Sequence, residues 1–213
     1  MPESTADAVQ LAVFAKAPIP GYAKTRLIQS LGPEGAAELQ AYLFQRTIQT
    51  ALASALRPIT LWCAPDCDHP IFQASTREHG FATHVQAGND LGERMFGAFE
   101  LLTQWSPTLL IGTDCLILSA DHLMRCAAAL VGGADATFIP AEDGGYALIG
   151  LNKPVWRLFE GMPWGTGDVM RLTRDRLREE HLSVFETDQL WDIDTPADYY
   201  RAKSAALLSD PPA

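Results

Sequence analysis

The chain has 213 residues, 47% of them hydrophobic and 20% charged, a globular composition that excludes disorder and fibrous repeats and suits one compact domain. A chain of this length buries roughly 70% of the surface its unfolded form exposes, so its core needs no disulfide or metal staple. Sixteen Lys and Arg against 26 Asp and Glu give a net charge of -10, which disfavours nucleic acid as a partner but leaves room for a small anionic ligand met by a few cations.

The order of elements follows from hydrophobic patterning. Apolar, β-branched runs predict strands at Leu11–Ala15, Ile59–Ala64, Thr83–Gln86, Thr108–Gly112, Ala136–Pro140, Tyr146–Leu151 and Ser183–Glu186. The clearest helix follows Gly32-Pro33, where Phe44, Ile48, Leu52 and Leu56 recur every four residues beside Leu39 and Leu43. Further helices are predicted at Leu91–Thr103, Ser119–Leu130 with Ser119 as its cap, Asp168–Glu180 and Pro196–Ala205. Strands alternating with helices predict an α/β fold with parallel strands and crossover helices, a single domain over 1–213 with its core at about 10–203. The tails 1–8 and 208–213 are polar or Pro-rich and are expected to fray.

No run of 18 apolar residues occurs, and Met1–Gln10 lacks the basic start of a signal peptide, so the sequence predicts no membrane span and a cytoplasmic protein. Cys63, Cys67, Cys115 and Cys126 form no disulfide framework and are expected to be reduced. Cys63, Cys67 and His69 lack a fourth ligand at zinc spacing.

Four segments carry chemistry. After the first strand, Ala-Lys-Ala-Pro-Ile-Pro-Gly-Tyr-Ala-Lys-Thr-Arg (residues 15–26) is a tight loop with cations near a helix start; it suits phosphates and equally suits a solvated surface turn. Gly112-Thr113-Asp114 ends a buried strand, where α/β sheets bind ligands. Asp114 is thus placed to hold a divalent cation, or to cap the next helix, although Ser119 is available for that cap. Glu142-Asp143-Gly144-Gly145 between two strands reads either as a hairpin turn or as a ligand-approach loop. In Trp191-Asp-Ile-Asp194 an extended backbone points Asp192 and Asp194 the same way, and paired carboxylates invite a cation or a shared proton.

Taken together and in order, KAPIPGYAKTRL, GTDC, AEDGGYALIGL, PWGTGDVM and WDIDTPADY resemble the family of small glycosyltransferases once described only as domain of unknown function 2064. More distantly the sequence is similar to the guanylyltransferases of molybdenum cofactor and phospholactate metabolism. The resemblance implies a three-layer α/β/α sandwich with a mostly parallel sheet, the Rossmann-like, glycosyltransferase A-type fold of nucleotide-diphospho-sugar transferases. It implies that the loop Ala15, Lys16, Ala17 to Gly21 wraps a nucleotide, that Lys24 and Arg26 meet its phosphates with Thr113 alongside, and that Gln86 and Gly88 lie where the base is read. Asp114 becomes the metal carboxylate, with Asp194 or Asp192 as the second, for Mg2+ or Mn2+. Glu142, Asp143, Gly144, Gly145, Trp164 and Thr166 fall on the acceptor or sugar side, and Asp114, Asp143 and Lys24 carry the catalytic roles. Two positions depart from the family pattern: Leu116 where Pro is usual after Gly-Thr-Asp-Cys, and Gly165 where Trp-Ser-Thr is common.

The function expected is metal-dependent transfer from a nucleotide-activated donor, a nucleotide-sugar or a nucleoside triphosphate, to a small-molecule acceptor, with a homodimer allowed. Nucleotidyl transfer to a phosphorylated metabolite is the first alternative, and asks for a second basic cluster, for which Arg94, Arg171 and Arg174 are available. A non-catalytic nucleotide-binding module is the second.

Overall fold

The computed structural model describes residues 8–208. Seven strands form one sheet: β1 (Gln10–Lys16), β2 (Ile59–Ala64), β3 (Ala82–Val85), β4 (Thr108–Ile111), β5 (Ala136–Pro140), β6 (Tyr146–Leu151) and β7 (Val184–Glu186). Their order is β3-β2-β1-β4-β6-β5-β7. β1 lies third in this order, inside the sheet, and pairs in parallel with β2 on one side and β4 on the other, so the chain reverses direction across the sheet at β1. β6 is antiparallel to both β4 and β5 because it returns from β5 through a tight turn. A two-stranded return of this kind is the outcome that Asp-Gly-Gly favours.

Among the described residues there are six α-helices of more than one turn: α1 (Ile28–Ala53), α2 (Pro70–His79), α3 (Leu91–Leu102), α4 (Ala120–Val131), α5 (Val169–Glu179) and α6 (Pro196–Ser204). They divide between two faces because successive strand residues point to opposite sides. Leu11, Val13 and Ala15 of β1 pack with Phe44 and Ile48 of α1, Phe72 of α2 and Leu123 and Leu130 of α4. Ala12 and Phe14 face the other way, onto Met95, Phe99 and Leu102 of α3 and Met170 and Leu177 of α5. The result is the three-layer sandwich with a mostly parallel sheet. A third, smaller cluster ties Leu27, Leu39 and Leu43 to Trp191, Ile193 and Ala202 of the C-terminal segment.

Several boundaries differ from the sequence reading, each for a local reason. α2 has no counterpart in the expected elements because only Phe72 and Ser75 of its ten residues are buried, too few for an apolar stripe. Its ends are nonetheless marked, by Pro70 in the first turn and by Gly80, whose left-handed backbone (φ 72°) closes it. α1 begins one turn early, breaks at Gly32 (φ 71°, ψ 167°) and resumes at Pro33. It ends at Ala53, so Leu56 lies beyond the helix but is still fully buried. Leu208, expected in a frayed tail, packs against the third cluster. Residues 1–7 and 209–213 of those tails lie outside the described residues. Among the described residues no helix is long and apolar enough to cross a membrane, and all four cysteines are free thiols.

Candidate active site

A cleft of about 450 Å³ opens at the carboxyl ends of β1, β2 and β4. Its floor is apolar, made of Phe14, Leu110, Met95 and Ile149, and its rim is charged, with Lys16, Lys24, Arg94, Asp114 and Asp194. That volume and mixture are those of a small-molecule site, at the crevice where α/β sheets bind ligands.

The rim is built from three distant pieces of chain. The loop leaving β1 is held to β2 by the Ala17 amide donating to the Ala64 carbonyl at 2.7 Å. It turns at Gly21 (φ 80°), where a Cβ would meet nothing within 4 Å, and again at Lys24, a non-glycine residue in the left-handed region (φ 47°, ψ 44°). That strained turn sends the Lys24 side chain inward, where it is 3% exposed. Its ammonium donates to the Ile193 carbonyl at 2.6 Å, pairs with Asp114 Oδ1 at 2.6 Å and stands 3.8 Å from Asp194 Oδ1. Arg26 binds the other oxygen of Asp194 at 2.7 Å.

Asp114 is the third residue after β4. Ser119 caps α4 in a reciprocal box with His122, so the helix start makes no demand on the Asp114 carboxylate. The third piece, Trp191–Asp194, runs beside it, with the Ile193 amide donating to the Asp114 carbonyl at 2.9 Å. Trp191 and Ile193 are buried while Asp192 and Asp194 between and after them are half-buried, so the two carboxylates do share one side. Burial, reinforced by the charges of Asp143 and Asp114 and only partly relieved by Lys24, pushes Asp192 up to about 6. Cys115 is inert by comparison: burial pushes its thiol up to about 12, and its Sγ meets the Trp191 carbonyl at 3.4 Å.

The cations divide into engaged and available ones. Lys24 and Arg26, assigned to phosphates by sequence, are engaged by the aspartates. Lys16 and Arg94 line the cleft and make no ion pair with a carboxylate among the described residues: Lys16 sits over the Tyr22 ring at 5.0 Å, and Arg94 Nε donates to the Gly88 carbonyl at 3.1 Å. Arg171 and Arg174, both exposed, pair at the surface with Asp168 and Asp175 and with Glu186 respectively.

The other sequence candidates divide similarly. Thr113 is buried and accepts from Gln40 Nε2 at 2.9 Å. Gln86 lines the cleft, with its amide nitrogen donating to the Trp62 and Ala15 carbonyls at 2.9 and 3.3 Å, which ties β2 to β1. Gly88 (φ 141°) is set by the start of α3, since a Cβ there would lie 2.8 Å from Glu93 Cβ and 2.9 Å from the Arg94 amide nitrogen. Glu142 forms a two-pronged pair with Arg201, at 2.6 and 3.1 Å, which holds its carboxyl below the usual range. Arg201 in turn stacks over Trp191 at 4.2 Å. Asp143 Oδ1 accepts from the Gly145 amide at 2.8 Å within the hairpin. Gly144 (φ 89°) lies against the Gly167 backbone so closely that a Cβ would be 2.2 Å from its carbonyl oxygen. Trp164 packs over Gly92 with its indole nitrogen buried and unpartnered, and Thr166 donates to the Pro163 carbonyl at 2.8 Å. Gly165 adopts φ 78°, a backbone that the serine of the related pattern would strain.

Besides its apolar lining, the cleft holds two polar residues to which sequence reasoning assigned no role. Gln40 sits inside the apolar stripe of α1, and Tyr146 is turned toward the cleft where the β5–β6 register shifts. A glutamine interrupting a buried helical stripe is a readable signal; the register shift is not.

As a donor set for Mg2+ or Mn2+, Asp114, Asp143, Asp192 and Asp194 have suitable hard oxygens, and Asp192 is raised chiefly by burial, with the charges of Asp143 and Asp114 adding to it. No three acidic, histidine or cysteine side chains among the described residues are set at metal-ligating geometry. A cation held here would draw on one or two of these carboxylates and complete its coordination from phosphate oxygens and water, as Mg2+ usually does.

The fold and this cleft define a class, the nucleotide-diphospho-sugar transferase fold, and solved structures agree. A Desulfovibrio desulfuricans G20 protein provisionally described as a nucleotide-diphospho-sugar transferase is 30% identical, with a TM-score of 0.79 over 89% of this chain and 83% of that one. The 4-diphosphocytidyl-2C-methyl-D-erythritol synthase of Anaerococcus prevotii DSM 20548 is 12% identical, with a TM-score of 0.61 over 95% of this chain and 100% of that one. The inositol-1-phosphate CTP transferase of T. maritima is 13% identical, with a TM-score of 0.53 over 95% of each chain. No curated protein matches the sequence. The family model described as an uncharacterized protein conserved in bacteria (DUF2064) matches residues 47–166, and the chain belongs to that family. By family and fold it is a transferase.

Proposed function

We propose that the chain transfers a glycosyl group from a nucleotide-diphosphate sugar to a small acceptor, with Mg2+ or Mn2+ at the Asp114 end of the cleft. The observation that carries this reading is the division of cations. Lys16 and Arg94 are two cleft cations without carboxylate partners among the described residues, enough for a diphosphate, while Arg171 and Arg174, the pair an acceptor phosphate would need, are paired with Asp168, Asp175 and Glu186. The 30% identical Desulfovibrio protein is described in the same terms.

Chemically, the difficulty in glycosyl transfer is the negative charge that gathers on the departing diphosphate. Lys16 and Arg94 take part of it directly. A divalent cation held by Asp114 and by Asp194 or Asp192 supplies the rest as a Lewis acid. Lys24 keeps Asp114 and Asp194 together and fixes the loop that wraps the donor. Glu142 is committed to Arg201, so Asp143, with one carboxylate oxygen accepting from Gly145 and the second without a partner among the described residues, is the residue that orients the acceptor hydroxyl.

The test is thermal unfolding against UDP, GDP, CDP, ADP, dTDP and the matching triphosphates, with and without Mn2+. A ligand at about 100 times its Kd adds roughly 2.7 kcal/mol. The expected result is a Mn2+-dependent shift with one diphosphate, followed by transfer from the matching sugar donor. A shift with triphosphates alone transfers the assignment to nucleotidyl transfer, the activity named for the T. maritima protein of the same fold.

A further inference from the structure

Gln40 interrupts the buried stripe of α1 between Ala36, Ala37 and Leu39 on one side and Leu43 and Phe44 on the other, and is only 2% exposed. A buried carboxamide in such a stripe weakens the fold unless both of its ends are bonded. One end is: Nε2 donates to the Thr113 hydroxyl at 2.9 Å. The other is not. Oε1 has no hydrogen-bond partner among the described residues and does not belong to the side-chain atoms that are sealed from solvent without one, and the residue lines the cleft. The open acceptor therefore faces the cleft, next to the residue that precedes Asp114.

We propose that Gln40 is a specificity-determining contact, whose amide oxygen accepts a hydrogen bond from a hydroxyl of the donor beside its diphosphate, on the ribose or on the transferred sugar. This rests on the donor reading above. An amide oxygen repels phosphate oxygens, so the group it selects must itself donate. A glutamate would accept as well, but it would add a fifth carboxylate to a site in which Asp192 already bears the crowding of Asp114 and Asp143. A neutral acceptor reads a hydroxyl without that cost, and a ligand lacking the hydroxyl leaves the buried oxygen unpaired.

The experiment measures Kd by calorimetry, in Mn2+, for UDP, GDP, CDP and ADP, for their 2′-deoxy and 3′-deoxy forms, and for UDP-glucose and GDP-mannose with their 2-deoxy-sugar counterparts. Wild-type protein is compared with Gln40→Met and Gln40→Glu. Wild type should prefer one hydroxylated ligand over its deoxy form by about tenfold. Gln40→Met should erase that preference while binding the deoxy form as wild type does, and the arm in which the preference vanishes names ribose or sugar as the source. Gln40→Glu, which keeps the oxygen, should retain the preference with weaker binding overall, and it serves as the test if the Met variant does not fold. A preference that survives in Gln40→Met, or that is lost in Gln40→Glu while nucleotide still binds, overturns the assignment to Gln40 and leaves the cleft as the donor site. No nucleotide binding by wild type overturns the donor reading and this inference together.

Discussion

Two acidic regions of this molecule look alike in sequence and differ in structure. Asp114, Asp192 and Asp194 come together from two segments nearly 80 positions apart; Lys24 from a third bridges Asp114 and Asp194, and burial beside Asp143 and Asp114 raises Asp192. Glu142-Asp143-Gly144-Gly145 has the same carboxylates and glycines within four residues, yet most of its polar capacity goes to its own surroundings: Glu142 to Arg201, Asp143 to the Gly145 amide, and Gly144 to the approach of Gly167. The contrast teaches that a carboxylate beside glycines says little until its partners are known. Carboxylates gathered from remote segments around one short supply of cations say more, because the fold bears a stability cost to keep them there.

Substitutions can break or sharpen that contrast. The largest effect is expected for Asp114→Asn, which should lower Mn2+-dependent transfer about 100-fold or more. It should also reduce stability by about 1–2 kcal/mol in a thermal melt, since Lys24 loses its shortest ion pair but keeps Ile193 and Asp194. Retained activity would remove Asp114 from the site. Next is Gly144→Ala in the hairpin, where the positive φ and the 2.2 Å approach to the Gly167 carbonyl predict a loss of about 2–4 kcal/mol, read by urea unfolding. A neutral result there would mean that the 165–168 loop yields easily.

Asp192→Asn should act in the opposite direction. In EDTA the ionised form of Asp192 is disfavoured in the folded protein, whose group titrates at about 6 against about 3.9 when unfolded, so wild type loses stability as pH rises from 4 to 6. The asparagine variant is spared that loss. It should be more stable by about 1–2 kcal/mol above pH 6, after allowance for solvent screening, and the gain should fade to nothing below pH 4. A pH-independent difference would show that packing, and no charge effect, is responsible. The smallest effect is expected for Glu142→Gln: the exposed pair with Arg201 adds little, so the melting temperature should scarcely move and kcat should stay within about threefold. A hundredfold fall in kcat would restore Glu142 to the acceptor site and erase the contrast.

Much of the fold was legible because burial on both faces makes parallel strands read as continuous apolar runs, and Leu109–Ile111 and Ile59–Ala64 are of that kind. Ser119 and Thr195-Pro196 announced the helices they begin, through capping chemistry that needs no tertiary context. What escaped depended on partners remote in sequence. Lys24 reads as a free cation until its partner 169 residues away is in view, and Glu142 reads as a free carboxylate until Arg201 arrives from α6. The antiparallel direction of β6 is fixed by the turn before it and leaves no trace in the strand itself, whose Tyr146–Leu151 pattern suits either direction. α2 shows the reverse failure: its end signals were present, but its small buried area kept it below notice.

The Lys24–Ile193 contact also bears on the order in which the molecule is put together. It closes a loop of 169 residues that contains nearly the whole sheet, and so large a loop is among the last an assembling chain can close, because the entropy of bringing its ends together must be met before the contact is gained. The strands and most helices can be complete while the rim of the cleft is still open. With the donor site proposed above, ligand binding would act as a final stitch between the two ends of the chain: hydrogen exchange should slow most at Ala23–Leu27 and Trp191–Ala202 and least in β7, at the sheet edge away from the cleft.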